Sequence, residues 1–570
     1  MPIFYYTSSH KMASSTQYKS VGAKGSDVFS STGNPLLDLS VLLVRGANPE
    51  KILTLLGASL EAGQLIDAFV LAFQTRDVRG GKGERLLFHH MLSALYNHKP
   101  ALVLGLLDLI PEYGSWRDLT EMGDRVEYRP HISKLMLNQL AKDEGAMEAK
   151  KPVSLLAKWM PREGKTLGAP LLLQLRKHMG EEHSHVGTLM KRYRQRVVAL
   201  NKYLQTTEIA MCDQNGMWAT IDPAKVPGRN LAMHMRAFLN EKAGTKKGEH
   251  VPSGELRHPD DPDRMACRLR FQEHMSRAVR GEAKVNGAVT RYPHEVIKNV
   301  VRGAEGAERE SLIAVWNGMV ANARALGGLG RTIAMCDFSG SMQSSNNGDT
   351  PYWVSMAMGL LISEVCSDEF KNTFMTFDST PKWHKLPSQA DIFSRVASIG
   401  RIGQGTSTDF QKAMDLVLTT LKEKRVPSGN EPKDLIVITD MAWDQACSSS
   451  QTSFYTGHSY RNVVKTTPWQ THIEMIRESF KRAGEDMWGA GYGWKPPRIV
   501  IWNVAASCND FHASADTEGV IMLSGWSPSL FKVLTEEGAR VQTPEEALRL
   551  QLDAERYDPI RARLAELLKK

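Results

Sequence analysis

Asp337, Ser339 and Ser341 stand at alternate positions of Asp337-Phe338-Ser339-Gly340-Ser341-Met342. A carboxylate and two hydroxyls at that spacing, in a strand-to-helix loop, can converge on one side of a small ion. All three are hard oxygen donors with no thiolate or imidazole among them. That points to Mg2+ (or Mn2+ or Ca2+) and away from zinc or copper. Two further pieces belong with them. The turn Gly403-Gln404-Gly405-Thr406-Ser407-Thr408-Asp409 precedes a helical stretch and offers threonine hydroxyls. Asp440 ends the apolar run Ile436-Val437-Ile438-Thr439 and brings a second carboxylate. Counting back from the helical Ala413-Met414 favours Thr408, while a Gly-Thr context keeps Thr406 as the alternative. Helix capping alone would account for Asp337 and the serines, but for neither Asp440 nor a threonine. Two carboxylates and a few hydroxyls leave an open coordination position on such an ion, which an acidic group of a partner protein can fill.

These residues need a scaffold that brings separate segments to one edge. From Arg331 onward, strand-length apolar runs (Thr332–Cys336, Asn372–Phe377, Leu435–Thr439, Ile499–Val504, Val520–Leu523) alternate with helical stretches (Trp353–Val365, Asp409–Lys422, Glu474–Ala483, Ser527–Leu534). That alternation predicts a doubly wound, Rossmann-like parallel sheet covered on both faces. Ligands in such sheets sit beyond the carboxyl ends of the strands, where Asp337 and Asp440 fall. In this order and context, the Asp-x-Ser-x-Ser, Thr and Asp set resembles the metal-ion-dependent adhesion site of von Willebrand factor A (vWA) domains. The resemblance implies Ser339 and Ser341 as direct ligands. Asp337, the threonine (Thr408, or Thr406) and Asp440 would then ligate directly or through water.

The front of the chain has a different grain. Residues 1–33 are polar and Gly/Ser/Thr-rich and read as a flexible arm. Residues 34–328 are patterned as helices, with apolar positions at three- and four-residue spacing (Ile52, Leu55, Leu56, Leu60) between short Gly and Pro punctuators. Such helices bury their stripes by stacking, as a helix-hairpin array. Residues 241–263 read as a loop within it, residues 329–542 as the sheet domain, and residues 543–570 as a C-terminal amphipathic helix opening with a Thr543/Glu546 capping box. A helical body followed by a vWA unit with a Ser-Gly-Ser-Met motif resembles the Ro ribonucleoprotein (TROVE-type) proteins. The chain resembles more closely a family of the same arrangement with no activity to import. That match is carried by Arg76–Arg85, Tyr113-Gly-Ser-Trp-Arg-Asp-Leu119, Ala157-Lys158-Trp159, Lys225-Val-Pro227, Pro293-His294-Glu295, Trp502-Asn503 and Ser524-Gly525-Trp526. The Ro resemblance implies a HEAT-like helical scaffold, ring-forming in that family, that binds RNA through basic surface.

Charge agrees with an RNA-binding front half. Met1–Gly330 holds 45 Lys and Arg against 34 Asp and Glu, whereas Arg331–Lys570 holds 26 against 29. The front is thus the half suited to a polyanion. Candidate contacts are Arg76, Arg79, Lys82 and Arg85, and a second cluster of Lys191, Arg192, Arg194 and Arg196 interleaved with Tyr193, an aromatic able to stack on an unpaired base. The Gly80-Gly81-Lys82-Gly83 turn is no Walker A loop, because no strand precedes it and Gly83 stands where Ser or Thr is needed. There is no GxSxG, no HExxH and no Cys/His nucleophile pair, so catalysis has no residues to rest on and a non-enzymatic binding protein is expected. Six scattered cysteines without a CxxC pair fit neither a disulfide framework nor a zinc finger. Met1–Ser40 lacks an apolar signal region, and no apolar stretch approaches the roughly 18 residues that span a bilayer. A soluble, cytoplasmic location is therefore expected.

Overall fold

The computed structural model describes residues 18–21, 27–162, 176, 185–212, 216–242, 254–288, 291–343, 348–367, 370–377, 380–399, 410–441, 469–507, 510–534 and 541–569. The chain forms two compact units, neither continuous in sequence. One comprises Met1–Ala68, Leu326–Ser388 and Ser398–Asp553; the other comprises Phe69–Ala325, Gln389–Ala397 and Ala554–Lys570.

The first unit is built on a sheet. A short antiparallel pair, β1 (Lys19–Val21) and β2 (Asp27–Phe29), precedes β3 (Thr332–Asp337), β4 (Thr373–Phe377), β5 (Trp383–Lys385), β6 (Asp434–Thr439), β7 (Arg498–Asn503) and β8 (Val520–Ser524). The last six form one sheet in the order β5-β4-β3-β6-β7-β8, parallel throughout except for the antiparallel edge strand β5. Every residue of β3, β6, β7 and β8 is buried. Strands covered on both faces read as continuous apolar runs rather than alternating ones, which is why these four were legible. Edge strand β5 carries Trp383, His384 and Lys385 and gives no such run. The helix Pro351–Val365 packs on β3 so closely that a Cβ on Gly359 would come 2.3 Å from Cys336 Sγ.

The N-terminal residues depart from expectation. Val28 and Phe29 are buried, and Phe29 exchanges backbone hydrogen bonds of 2.7 and 2.8 Å with Phe511. The helix Pro35–Leu42 then lies against β8, where Ser524 Oγ donates to Ser40 O (2.6 Å), and Asn503 Nδ2 at the end of β7 donates to Val41 O (2.9 Å). The described part of the expected arm, and the first two helices of the expected helical domain, therefore belong to the sheet unit. Buried backbone partners decide this, and polar composition does not reveal them. The expected C-terminal helix is two helices. Pro544–Leu552 keeps the capping box, with Glu546 N donating to Thr543 Oγ1 (3.2 Å), and a separate helix spans Asp558–Leu568. Pro559 lacks the N–H that a continuous helix needs and sits instead in the first turn of the second. Pro544–Leu552 belongs to the sheet unit and Asp558–Leu568 to the helical unit.

The helical unit is a stack of helices with an aromatic core. Phe73 meets Phe88 and Tyr113 edge-on, at 5.4 and 5.3 Å between ring centroids. Phe238 stacks on Phe271 at 4.5 Å. Gly80–Gly83 forms the turn between the helices Leu65–Arg76 and Arg85–His98. The described ends of the 241–263 loop are pinned together by Lys242 N to Glu255 O (2.9 Å) and Arg257 N to Asn240 O (2.8 Å), and its last residues, Pro262 and Asp263, already begin the helix Pro262–Val279. No described helix is long and apolar enough to cross a membrane.

Candidate metal centre

Parallel register places the ends of β3 and β6 side by side, with Cys336 opposite Ile438. Asp337 is the last residue of β3, and Asp440 directly follows β6. Asp337, Ser339 and Asp440 are all essentially buried, while Ser341 is exposed. Beyond β3 the chain folds back on its own carboxylate: Ser339 N donates to Asp337 Oδ1 (2.9 Å), and the loop closes into a short 3-10 turn, Gly340–Gln343. That turn brings Ser339 Oγ and Ser341 Oγ within 3.0 Å of each other. Two hydroxyls therefore share one small space next to a carboxylate, as the alternate spacing required.

Two residues that sequence reasoning missed hold this arrangement. Thr439 Oγ1 donates to Asp337 Oδ2 (2.8 Å) and accepts from Met441 N (3.1 Å), tying the end of β3 to the turn after β6. His512 Nε2 bonds Met441 O at 2.9 Å from the other side. Met441 adopts φ of +67°, a left-handed conformation that a side chain rarely takes without such anchoring. The available signal was Thr439 itself, the one hydroxyl in the run Leu435–Thr439. It reads equally well as an ordinary β-former.

Electrostatics give this pocket its chemical sense. Burial pushes the Asp337 carboxyl above the usual carboxylate range and the negative charge of Asp440 pushes it further, against the hydrogen bonds from Ser339 and Thr439. Two buried carboxylates that repel each other are costly unless a cation or a proton joins them. Among the described residues no three His, Cys, Asp or Glu side chains converge as a metal cluster. The donor set is thus two carboxylates plus hydroxyls, all oxygen, and it fits a hard divalent cation. Both oxygens of Asp337 already accept hydrogen bonds, which suits it to contact through water. Ser339, Ser341 and Asp440 are the residues that could hold such an ion. Thr406 and Thr408 lie outside the described residues.

The RNA-contact candidates separate sharply. Arg76 is buried and spent on a bidentate pair with Asp118 (Nε to Oδ1 3.0 Å, Nη2 to Oδ2 2.9 Å). Lys82 is 1% exposed. Tyr193 is also buried, its hydroxyl donating to Pro161 O (2.9 Å). None of these three presents a group to an RNA strand, so the expectation is corrected for them. The cause is local geometry. Asp118 sits in a Ser115 capping box at the start of the helix Trp116–Met122, where it receives the guanidinium from the end of Leu65–Arg76. Arg79 is exposed but pairs with Glu112 (2.9 Å), Arg85 pairs with Glu121 (3.1 Å), and Arg196 forms a two-pronged pair with Glu144 (2.6 and 2.7 Å). Lys191, Arg192 and Arg194 remain exposed on the helix Val186–Leu204.

Comparison with known proteins gives the following likenesses. Residues 331–565 match a family model described as a domain of unknown function (DUF7788). Over 535 residues the chain is 24% identical to "Uncharacterized protein L728" of Acanthamoeba polyphaga mimivirus, covering 90% of this chain and 83% of that protein. Among solved structures it is similar to the Ro (RSR) protein of Deinococcus radiodurans, at 14% identity and a TM-score of 0.34, covering 89% of this chain and 86% of that one.

Proposed function

We propose that this chain is a non-enzymatic binding protein whose sheet unit is a vWA-type module, dependent on Mg2+ or a similar hard cation held at the ends of β3 and β6. The observation that carries this reading is the convergence of Asp337, Ser339, Ser341 and Asp440, two buried carboxylates and two hydroxyls, at the carboxyl edge of a parallel sheet. When bound, the ion supplies a Lewis-acidic position that an acidic side chain of a partner protein can occupy. The chain's own residues do the positioning: Thr439 and Ser339 N fix the Asp337 carboxylate, and the turn at Gly340 sets the two serine hydroxyls side by side. Calorimetric titration of Mg2+ or Mn2+ into EDTA-treated protein tests the site. Saturable binding is expected, and it is lost in Ser339→Ala with Ser341→Ala while circular dichroism stays native. Absence of binding, or equal binding by that variant, overturns the reading.

A second reading, RNA binding by the helical unit in the manner the Ro resemblance implies, rests on one observation. Lys191, Arg192 and Arg194 project from a single exposed helix in the half of the chain with excess positive charge. RNA affinity that falls with rising salt, and weakens in Lys191→Glu with Arg194→Glu, is the expected result. No binding at low salt, or a flat salt dependence, removes it.

A further inference from the structure

The opposite end of the same sheet carries a second feature. A cleft of about 260 Å³ opens where β3, β6 and β7 begin. Arg331 and Lys433 immediately precede β3 and β6, and Lys495 and Arg477 complete the rim. β3 is six residues long, so at about 3.3 Å per residue the cleft lies on the order of 20 Å from Asp337. It is not part of the candidate metal centre.

What distinguishes this cleft from a solvated surface is how its charges are disposed. Its one lining carboxylate, Glu431, is already spent on backbone, with Gly429 N bonded to Oε2 (2.6 Å) and Lys495 N to Oε1 (3.1 Å). Arg498, on the floor, is neutralised by the buried Asp434 (2.6 Å). Arg331, Lys433, Arg477 and Lys495 form no ion pair among the described residues, although Arg331 Nε donates to Glu431 O (2.9 Å) and Arg477 Nη2 to Glu518 O (3.4 Å). Besides the paired Arg498, four basic residues thus line one small concavity against the single negative charge of Glu431, in the half of the chain where acidic residues outnumber basic ones. Pro496 and Pro497 stiffen one wall, so the cleft exists before any ligand arrives.

We infer that this cleft binds an anion carrying two linked phosphate groups, free or borne on a nucleoside. Each terminal phosphate carries about 1.5–2 negative charges near neutral pH, so a diphosphate matches four cations where a single peptide carboxylate does not. Guanidinium groups bind phosphate oxygens in two-pronged fashion and ammonium groups bind them as point charges, and the rim holds two of each.

Calorimetry with inorganic pyrophosphate and with a nucleoside diphosphate, at low salt and with EDTA present, tests the inference apart from the metal centre. The expected result is saturable binding that weakens at least tenfold in Lys433→Glu with Lys495→Glu. A milder pair, Lys433→Gln with Lys495→Gln, gives a smaller loss and serves if the charge reversal disturbs the fold. Tighter binding of the nucleoside diphosphate assigns the cleft to a nucleotide, and equal binding assigns it to the free phosphate. No binding of either anion, unchanged binding by both variants, or equal binding of citrate overturns the inference. None of these outcomes bears on Mg2+ binding at Asp337.

Discussion

Replacing Arg76 with leucine decides whether this residue is a structural ion or a surface contact. The guanidinium is buried against Asp118, which is 0% exposed. Burial alone would push the Asp118 carboxyl up, but the His89 ring and the Arg76 guanidinium beside it hold it well below the usual carboxylate range. Removing one partner of a buried pair costs about 3–5 kcal/mol, because the other charge is left uncompensated. Asp118 keeps the Ser115 N–H at 2.7 Å, the Ser115 hydroxyl at 3.0 Å and His89 at 3.5 Å, so the low end, about 3 kcal/mol, is expected. At roughly 2–4 °C per kcal/mol for a unit of this size, the melting transition of the helical unit falls by about 6–12 °C. The pH response then weakens. In the native protein the depressed Asp118 carboxyl adds stability above pH ~4 that is lost on acidification. In Arg76→Leu the guanidinium no longer holds the carboxyl down, so this acid limb shrinks, while the His89 contact retains part of it. Asp118→Asn in that background removes the stranded charge and restores part of the loss. Urea and thermal melts by circular dichroism read all three effects. A cost below ~1 kcal/mol, or loss of RNA binding with an unchanged melt, would refute the assignment of Arg76 to the core.

Three further expectations follow from buried groups. Burial lowers the His512 imidazole to about 4, against the hydrogen bond to Met441 O. Its folded value lies below its unfolded one, so stability is complete above pH ~6.5 and lost by as much as ~3 kcal/mol as the pH falls toward 4; a His512→Gln melt series should lack this limb. Burial lowers the Lys82 ammonium to about 7, with Glu84 working against it. Native stability should therefore rise between pH 7 and ~10, by at most about 1.4 kcal/mol per pH unit, and Lys82→Met should flatten that rise; an equal slope in both proteins argues against a buried ammonium. In Gly81→Ala the new Cβ would meet the Gln74 carbonyl oxygen at 1.9 Å, the same oxygen that accepts Lys82 N–H. Backbone cannot yield there, and a loss of about 3 kcal/mol is expected on urea denaturation.

The features legible in the sequence are those set by near neighbours, and the ones missed depend on distant partners. Asp337, Ser339 and Ser341 lie within five residues, so their spacing alone states that they can converge. The buried strands announce themselves through unbroken apolar runs. Thr439 is different, because its hydroxyl acquires a role only when β6 lies in register beside β3 and Asp337 Oδ2 comes within reach. Phe29 pairs with Phe511 across most of the chain, and nothing in a Ser/Gly-rich segment points to that partner.

Charge shows the same division, with a consequence for where an anion binds. Summed along the sequence, the front half is the basic one, and that sum nominated Arg76, Lys82 and Arg196 as contacts. In the folded chain an Arg that has found a carboxylate no longer attracts a ligand, and Arg76, Arg79, Arg85 and Arg196 have each found one. The back half is slightly acidic by the same sum, yet it gathers Arg331, Lys433, Arg477 and Lys495 around a cleft whose carboxylates are already engaged. Beyond the ~8–10 Å over which salt screens a charge at ordinary ionic strength, the totals of a segment exert little force on a small anion. The uncompensated charge within that radius decides, and it favours the net-acidic half over the Arg76 turn. Pyrophosphate binding that survives Lys433→Glu with Lys495→Glu but is lost in Lys191→Glu with Arg194→Glu would show that the segment total is the better guide after all.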